Sequence, residues 1–169
     1  ALGLVGMKIP REYGGLGFSI TNYARVRGMI GSYWSNTVTY LSAHQSIGVP
    51  QPLKEFGTEE QKRKYLPRLA KGEISAFALT EPGVGSDPAR MTTIATPSAD
   101  GKYYVLNGDK LWCTNVTDPK TTLIAVLART PDKVLPNGKT LPQISCFVVE
   151  TAWPGVERVR RSRCMGLRG

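Results

Sequence analysis

Two short segments of the chain contain residue types that could hold a flat ligand with polar edges. The first, FALTEPGVGSD at positions 77–87, is an apolar strand pattern that breaks at its TEP tripeptide into a glycine-rich polar loop. The second, LNGDKLWCTN at positions 106–115, is typical of a β-hairpin and ends on Trp112 and Thr114. Residues i and i+2 of a strand point to one face, so the indole and the hydroxyl are predicted to project together. An apolar wall beside a directional hydrogen bond is the combination that a flavin requires.

The elements ahead of these segments are predicted to be helices, over about residues 21–69. Breaks are expected at three glycine-containing positions: Gly31, Gly48-Val49-Pro50 and Gly57. The clearest helix start is at Thr58, whose side chain is predicted to form a capping box with Gln61. Three apolar residues follow at helical spacing: Tyr65, Leu66 and Leu69.

From Ile74 onward, short apolar runs alternate with turns, which predicts a β region. Asn107-Gly108 is expected to form a type I′ turn between strands at 103–106 and 110–114. The near-continuous apolar run at 123–128 predicts a strand covered on both faces. Two further strands are predicted at Ile144–Val149 and Val156–Arg160, and an exposed connection at Asp132–Pro142.

The segments at 77–87 and 106–115, which we call the ligand-type segments, closely resemble the central signatures of the acyl-CoA dehydrogenase family. The two signatures are specific when found together in this order. The resemblance covers nearly the whole chain through three further stretches: GLVGMKIPREYGGLGFS, LSAHQSIGVPQPLKEFGTEEQKRKYLPRLAKGE and PGVERVRRSRCMGLRG. SAHQSIG at 42–48 resembles the long-chain members more closely. Two positions depart from the family pattern. Cys113 stands where isoleucine is usual, and Val116-Thr117-Asp118-Pro119 replaces a stretch of small residues.

The resemblance implies an α+β architecture. Residues 1–73 would be part of an N-terminal α-helical domain, and residues 74–169 a β-barrel-like or sandwich-like middle domain. Family members also have a C-terminal helical domain that supplies the catalytic glutamate, and that domain is absent from this sequence. We therefore expect the chain to be a piece of a longer enzyme that has no general base of its own and that by itself turns over little substrate and binds FAD weakly.

The implied chemistry is FAD-dependent α,β-dehydrogenation of a fatty acyl-CoA, in which a carboxylate removes the α-proton and the β-hydrogen leaves as hydride to the flavin. Seven residues would contact FAD by resemblance: Phe77, Leu79, Thr80, Gly85, Ser86, Trp112 and Thr114. Trp112 would cover the ring, Thr114 would bond near N5, and Thr80 would meet the polar edge. Ser86 would also lie near the acyl-CoA substrate. Gly83 and Gly85 would let the backbone approach closely.

Each assignment has a purely structural alternative. Trp112 could be a core aromatic residue, Thr114 a strand residue of high β propensity, and the glycine-rich segment an ordinary loop. Glu81 is interpreted as a structural residue of the TEP turn, not as a base. His44, the only histidine, is predicted to pack or hydrogen-bond within a helix, and no residue spacing indicates a metal site.

Composition restricts the remaining function classes. The formal charge of +9 would suit nucleic acid or an anionic membrane, but the basic residues are spread along the chain, so we predict no nucleic-acid partner and only a modest attraction to CoA phosphates. No apolar run is long enough to span a bilayer. Three cysteines without metal spacing, at 113, 146 and 164, indicate reduced thiols that pack structurally, especially Cys146.

Three functions are compatible with this sequence. The first is an acyl-CoA dehydrogenase that passes electrons to an electron-transferring flavoprotein, forms a homo-oligomer and lies in bacterial cytoplasm or the mitochondrial matrix. The second is an acyl-CoA oxidase that reoxidises its flavin with oxygen. The third is a non-catalytic assembly module with the same fold.

Overall fold

The computed structural model describes residues 2–162, so the predictions for Cys164 and for the last arginines of the basic tail lie outside the described residues. Two compact units are present. The first contains residues 1–77, 114–124 and 149–169, and the second contains residues 78–113 and 125–148. No helix within residues 2–162 has the length and apolarity needed to cross a membrane.

The first unit is mainly helical, as predicted. Its α-helices are α1 (Ile20–Gly31), α2 (Ser35–Ser42), α3 (Pro50–Phe56) and α4 (Glu59–Ala70), with a π-helical turn at Ala43–Ile47 between α2 and α3. The capping box at the start of α4 is confirmed: Gln61 N donates to Thr58 Oγ1 at 3.2 Å, and Thr58 N donates to Gln61 Oε1 at 3.0 Å. Tyr65, Leu66 and Leu69 are buried on its inner face.

Gly57 ends α3 for a reason of space. Its φ of −69° lies in the ordinary region. However, a Cβ at this position would lie 2.5 Å from the carbonyl oxygen of Leu53, which is closer than real side chains approach. Glycine therefore lets the chain leave α3 close to its last turn and enter the cap of α4.

The β region is one five-stranded sheet. Its strands are β1 (Ile74–Ala78), β2 (Ile94–Pro97), β3 (Tyr104–Asn107), β4 (Thr121–Val134) and β5 (Thr140–Glu150). Their order is β1-β4-β2-β3, and β5 also pairs with β4. β2 runs antiparallel to β3, with Ala95 opposite Leu106, and parallel to β4, with Ile94 opposite Arg129. The α+β expectation is confirmed, and the sheet is sandwich-like and does not close into a barrel.

The predicted hairpin at Asn107-Gly108 is wrong. β3 pairs with β2 instead, and residues 108–113 belong to no strand. Gly108 has another role, because a Cβ there would lie 2.4 Å from Thr93 Oγ1. The backbone of residue 108 therefore passes against Thr93 at a distance that only glycine allows.

Three further expectations for the β region are corrected. Residues 156–160 form no strand, because none of the strands within residues 2–162 pairs with them to complete a hydrogen-bonded ladder. The stretch 132–142 is not simply a connection. β4 continues to Val134 and β5 begins at Thr140, so most of it is paired strand despite its polar side chains. Cys146, expected to be packed, is exposed on β5. The predicted strand at 123–128 is confirmed within β4, where Leu123, Ile124, Ala125 and Ala128 are buried.

Candidate functional site

The glycine-rich loop of the second unit is closed by its own backbone. Glu81 and Val84 exchange two hydrogen bonds, each of 3.0 Å, which draw the chain into a tight turn around Pro82-Gly83. Glu81 and Val84 are buried, whereas Pro82 and Gly83 are exposed. The glycines of the loop are therefore exposed, while Glu81 and Val84 hold the loop in place.

The loop is anchored by the carboxylate of Glu81, a residue that is 3% exposed. Its Oε2 accepts hydrogen bonds from Thr92 N at 2.6 Å and Thr92 Oγ1 at 2.7 Å. Its Oε1 accepts from Thr93 N at 3.0 Å, Thr93 Oγ1 at 2.6 Å and Lys110 Nζ at 2.8 Å. We call these four residues the Glu81 cluster. All hydrogen-bonding capacity of a buried carboxylate is satisfied here.

Proton acceptance by Glu81 is disfavoured by this environment. Burial alone would raise its pKa, but the hydrogen bonds from Lys110, Thr93 and Thr92 outweigh burial and hold the pKa well below its ordinary value. The carboxylate is therefore ionised and fully occupied at neutral pH. This agrees with the prediction that Glu81 is a structural residue and not a catalytic base.

The two ligand-type segments meet within the second unit. Leu111 N donates to Thr80 O at 2.8 Å, and Lys110 Nζ donates to Leu79 O at 3.2 Å. Trp112 follows directly and is 73% exposed, so its indole is not a core side chain. The structure therefore brings Leu79 and Thr80 together with Lys110 and Leu111, the first two residues of what we call the tryptophan segment (residues 110–112). The contact is not made through the predicted hairpin.

Trp112 and Thr114 do not share a strand face, contrary to the prediction. Trp112 has a φ of 55° and Asn115 a φ of 73°, and a turn begins at Thr114. The alternation of side chains applies only to extended backbone, which is absent here. Thr114 and Phe77 belong to the first unit, where Phe77 is a half-buried residue of β1.

Several polar groups of the predicted site are free to take a ligand. The hydroxyls of Thr80, Ser86 and Thr114 have no hydrogen-bond partner among residues 2–162. Gly83 and Gly85 do not have positive φ, and a Cβ at either would have no atom within 4 Å. These glycines therefore leave open space beside the loop, in which a ligand could approach the backbone closely. They do not provide a special backbone conformation.

A cleft of about 350 Å³ lies beside the same loop. It is lined by Glu81, Pro82, Gly83, Val84, Arg90, Thr92, Gly108 and Asp109. None of the seven predicted ligand residues lines it. Sequence reasoning missed the exposed charges of Arg90 and Asp109, because neither belongs to a spacing pattern that would single it out.

His44 is a buried structural residue of the first unit, as predicted. Its Nε2 donates to Val5 O at 3.1 Å, while its Nδ1 accepts from Ser75 N at 3.0 Å and lies 2.9 Å from Ser75 Oγ. Burial lowers the pKa of His44 to about 4, so the ring is neutral at pH 7. Among residues 2–162, no three His, Cys, Asp or Glu side chains are grouped as a metal site would require.

Comparison with known proteins matches nearly the whole chain to two consecutive domain families. Residues 1–73 match "Acyl-CoA dehydrogenase, N-terminal domain" and residues 76–169 match "Acyl-CoA dehydrogenase, middle domain". The chain is 55% identical to a probable acyl-CoA dehydrogenase, FadE10, of Mycobacterium tuberculosis, over 99% of this chain and 25% of that protein. It is 43% identical to the mitochondrial very long-chain specific acyl-CoA dehydrogenase of Rattus norvegicus, with the same coverage of 99% and 25%.

Solved structures give the same result. An acyl-CoA dehydrogenase of Bacillus anthracis complexed with FAD superimposes with a TM-score of 0.82 at 37% identity, over 96% of this chain and 26% of that one. The present chain thus spans about a quarter of the length of the curated relatives it matches.

Proposed function

The chain belongs to the acyl-CoA dehydrogenase family, and from that premise we propose that the intact protein is an FAD-dependent enzyme that dehydrogenates fatty acyl-CoA thioesters between Cα and Cβ. This proposal rests mainly on the match of both domain families in order along the chain. The two ligand-type segments are also hydrogen-bonded to each other within the part that matches the middle domain. We further propose the division into a helical part at 1–73 and a β part at 74–169.

The donor set of the candidate site suits FAD. A flavin needs a flat apolar wall and hydrogen-bonding groups that are not already used, and the exposed indole of Trp112 and the free hydroxyls of Thr80 and Ser86 meet these needs. The proposed FAD residues are those expected from the resemblance: Phe77, Leu79, Thr80, Gly85, Ser86, Trp112 and Thr114.

In this proposal the chain's residues bind and orient the reactants. Bound FAD would accept the hydride that leaves the substrate. Trp112 would exclude water from one face of the ring, and Thr114 would donate a hydrogen bond at its edge. Ser86 would hold the acyl-CoA beside it. The carboxylate of Glu81 is fully occupied, so Glu81 is not available as the general base. From the resemblance to the family we propose that the general base is a glutamate outside residues 1–169.

We predict that Thr114→Val in the intact protein slows flavin reduction by roughly tenfold. The change removes the hydroxyl but keeps the volume and branching, so one hydrogen bond worth about 1–1.5 kcal/mol is lost with little effect on folding. The measurement is the anaerobic rate of flavin reduction by substrate in a stopped-flow instrument, with Thr117→Val as the matched control. An unchanged reduction rate and flavin spectrum in Thr114→Val would remove Thr114 from the site.

The substrate class is proposed to be long-chain acyl-CoA. Support comes from the SAHQSIG segment and from the identity to a very long-chain specific relative. Each buried methylene contributes about 0.8 kcal/mol, so kcat/KM of the intact protein should rise with chain length until the pocket is filled. A maximum at about four to six carbons would contradict the long-chain assignment and leave the dehydrogenase assignment standing.

The electron acceptor separates the two enzymatic alternatives. We propose an electron-transferring flavoprotein as the partner of a soluble homo-oligomer in bacterial cytoplasm or the mitochondrial matrix. The test is reduction of that carrier by enzyme and acyl-CoA under oxygen-free conditions. Turnover only with oxygen would identify an oxidase, and FAD-free protein without turnover would identify a non-catalytic module.

A further inference from the structure

We infer that Lys110 is a positioning residue for FAD, because its ammonium group holds the glycine-rich loop and the tryptophan segment in one fixed arrangement. This inference rests on the proposed FAD-binding function. Lys110 itself is not among the proposed FAD contacts. It would act through Thr80 and Trp112, the residues that it places.

The first step in the argument is how Lys110 is bound. Its side chain is 10% exposed, and its Nζ donates to both Glu81 Oε1 at 2.8 Å and Leu79 O at 3.2 Å. The bond to Glu81 joins two opposite charges, and the bond to the Leu79 carbonyl is made by an ammonium group with little access to water. Both kinds of hydrogen bond are strong. One ammonium group therefore ties residue 110 to two points of the loop, two residues apart.

The second step is what this tie controls. Between the two points lies Thr80, whose carbonyl accepts from Leu111 N at 2.8 Å. The side-chain bonds of Lys110 flank this backbone bond on both sides, so the three bonds together prevent the two segments from sliding past each other. Trp112 follows immediately and is 73% exposed, so its position depends on residues 110 and 111 and not on core packing.

The third step is that Glu81 is itself anchored. Thr92 and Thr93, the two residues directly before β2, supply its other four hydrogen bonds. The loop, the two residues before β2 and the tryptophan segment therefore converge on one carboxylate. The bond from Lys110 Nζ to the Leu79 carbonyl extends this cluster to the residue that directly precedes Thr80.

The test compares FAD affinity with stability in the intact protein. Lys110→Met keeps the length of the side chain but removes the ammonium group, and the apoprotein is titrated with FAD while the visible flavin spectrum and the unfolding temperature are recorded. We expect FAD binding to weaken on the order of tenfold, because a charge-assisted bond to the loop is lost. Lys102→Met is the matched control. It makes the same substitution at a lysine that is 81% exposed in the same unit, and it should leave FAD affinity unchanged.

A double variant separates positioning from stability. In Glu81→Gln/Lys110→Met no unpaired charge remains buried, so stability should recover in part relative to Lys110→Met. The remaining deficit is the introduced amide NH₂, which still faces the donors of Thr92 and Thr93. The bond to Leu79 O is still missing, so FAD affinity should stay low and the flavin spectrum should stay shifted. Recovery of FAD affinity in parallel with stability would overturn the positioning role, as would normal FAD affinity in folded Lys110→Met. If the unmodified intact protein binds no FAD, the proposed function fails instead.

Discussion

Glu81→Gln is expected to destabilise the protein by about 3–5 kcal/mol, since it leaves the ammonium of Lys110 buried without its counter-charge. The glutamine also places an amide NH₂ among the donors of Thr92, Thr93 and Lys110, where only an acceptor fits. The measurement is denaturant unfolding at pH 7, monitored by fluorescence and circular dichroism, in the intact protein.

The matched control for this prediction is Asp109→Asn. It makes the same acid-to-amide change 28 positions further along the chain, at an exposed residue next to Lys110, and should alter stability by less than about 0.5 kcal/mol. Equal stability of Glu81→Gln and Asp109→Asn would show that the Glu81 cluster does not hold the loop.

Acid is expected to remove about 3 kcal/mol of stability through His44 as the pH falls from 6.5 to 4. The pKa of His44 is lowered from 6.5 to about 4 in the folded state, so between these values the unfolded chain binds a proton that the folded chain does not. Stability from the neutral ring is therefore essentially complete well above pH 6.5, declines as the pH falls, and levels off below pH 4.

His44→Gln is the variant that tests this slope. Its amide can donate to Val5 O and accept from Ser75 N, as the neutral ring does, but it does not titrate. The difference in unfolding free energy between wild type and His44→Gln should shift in favour of the variant by about 3 kcal/mol between pH 7 and pH 4. Glu81 does not interfere, since its pKa lies well below the ordinary value of 4.5. Parallel pH profiles for the two proteins would contradict the prediction.

Features that depend on neighbouring residues were predictable. The capping box joins Thr58 and Gln61, three positions apart, and the inner face of α4 follows helical periodicity. The buried part of β4 was visible as an apolar run. In each case the interacting groups lie within a few residues, so the local sequence contains both partners.

The predicted hairpin lost to one neighbouring strand, β2, which is joined to β3 by residues 98–103, and to one distant segment of the chain. Asn107-Gly108 is a strong turn signal, yet β2 takes the hydrogen bonds of β3. Lys110 and Leu111 bond to Leu79, Thr80 and Glu81 instead. The contacts of Lys110 and Leu111 join residues about 30 positions apart, which a local turn pattern does not indicate.

By itself the sequence determined the family, the α+β class, the helix starts and breaks, and the two segments proposed to bind FAD. Only the tertiary structure decided how those segments are held: the carboxylate of Glu81 meets donors 11 to 29 positions away, and His44 meets Ser75 31 positions away. Local periodicity and capping follow from near neighbours, whereas a buried polar group must find partners wherever chain closure brings them. The positions of such groups are therefore a property of the folded chain.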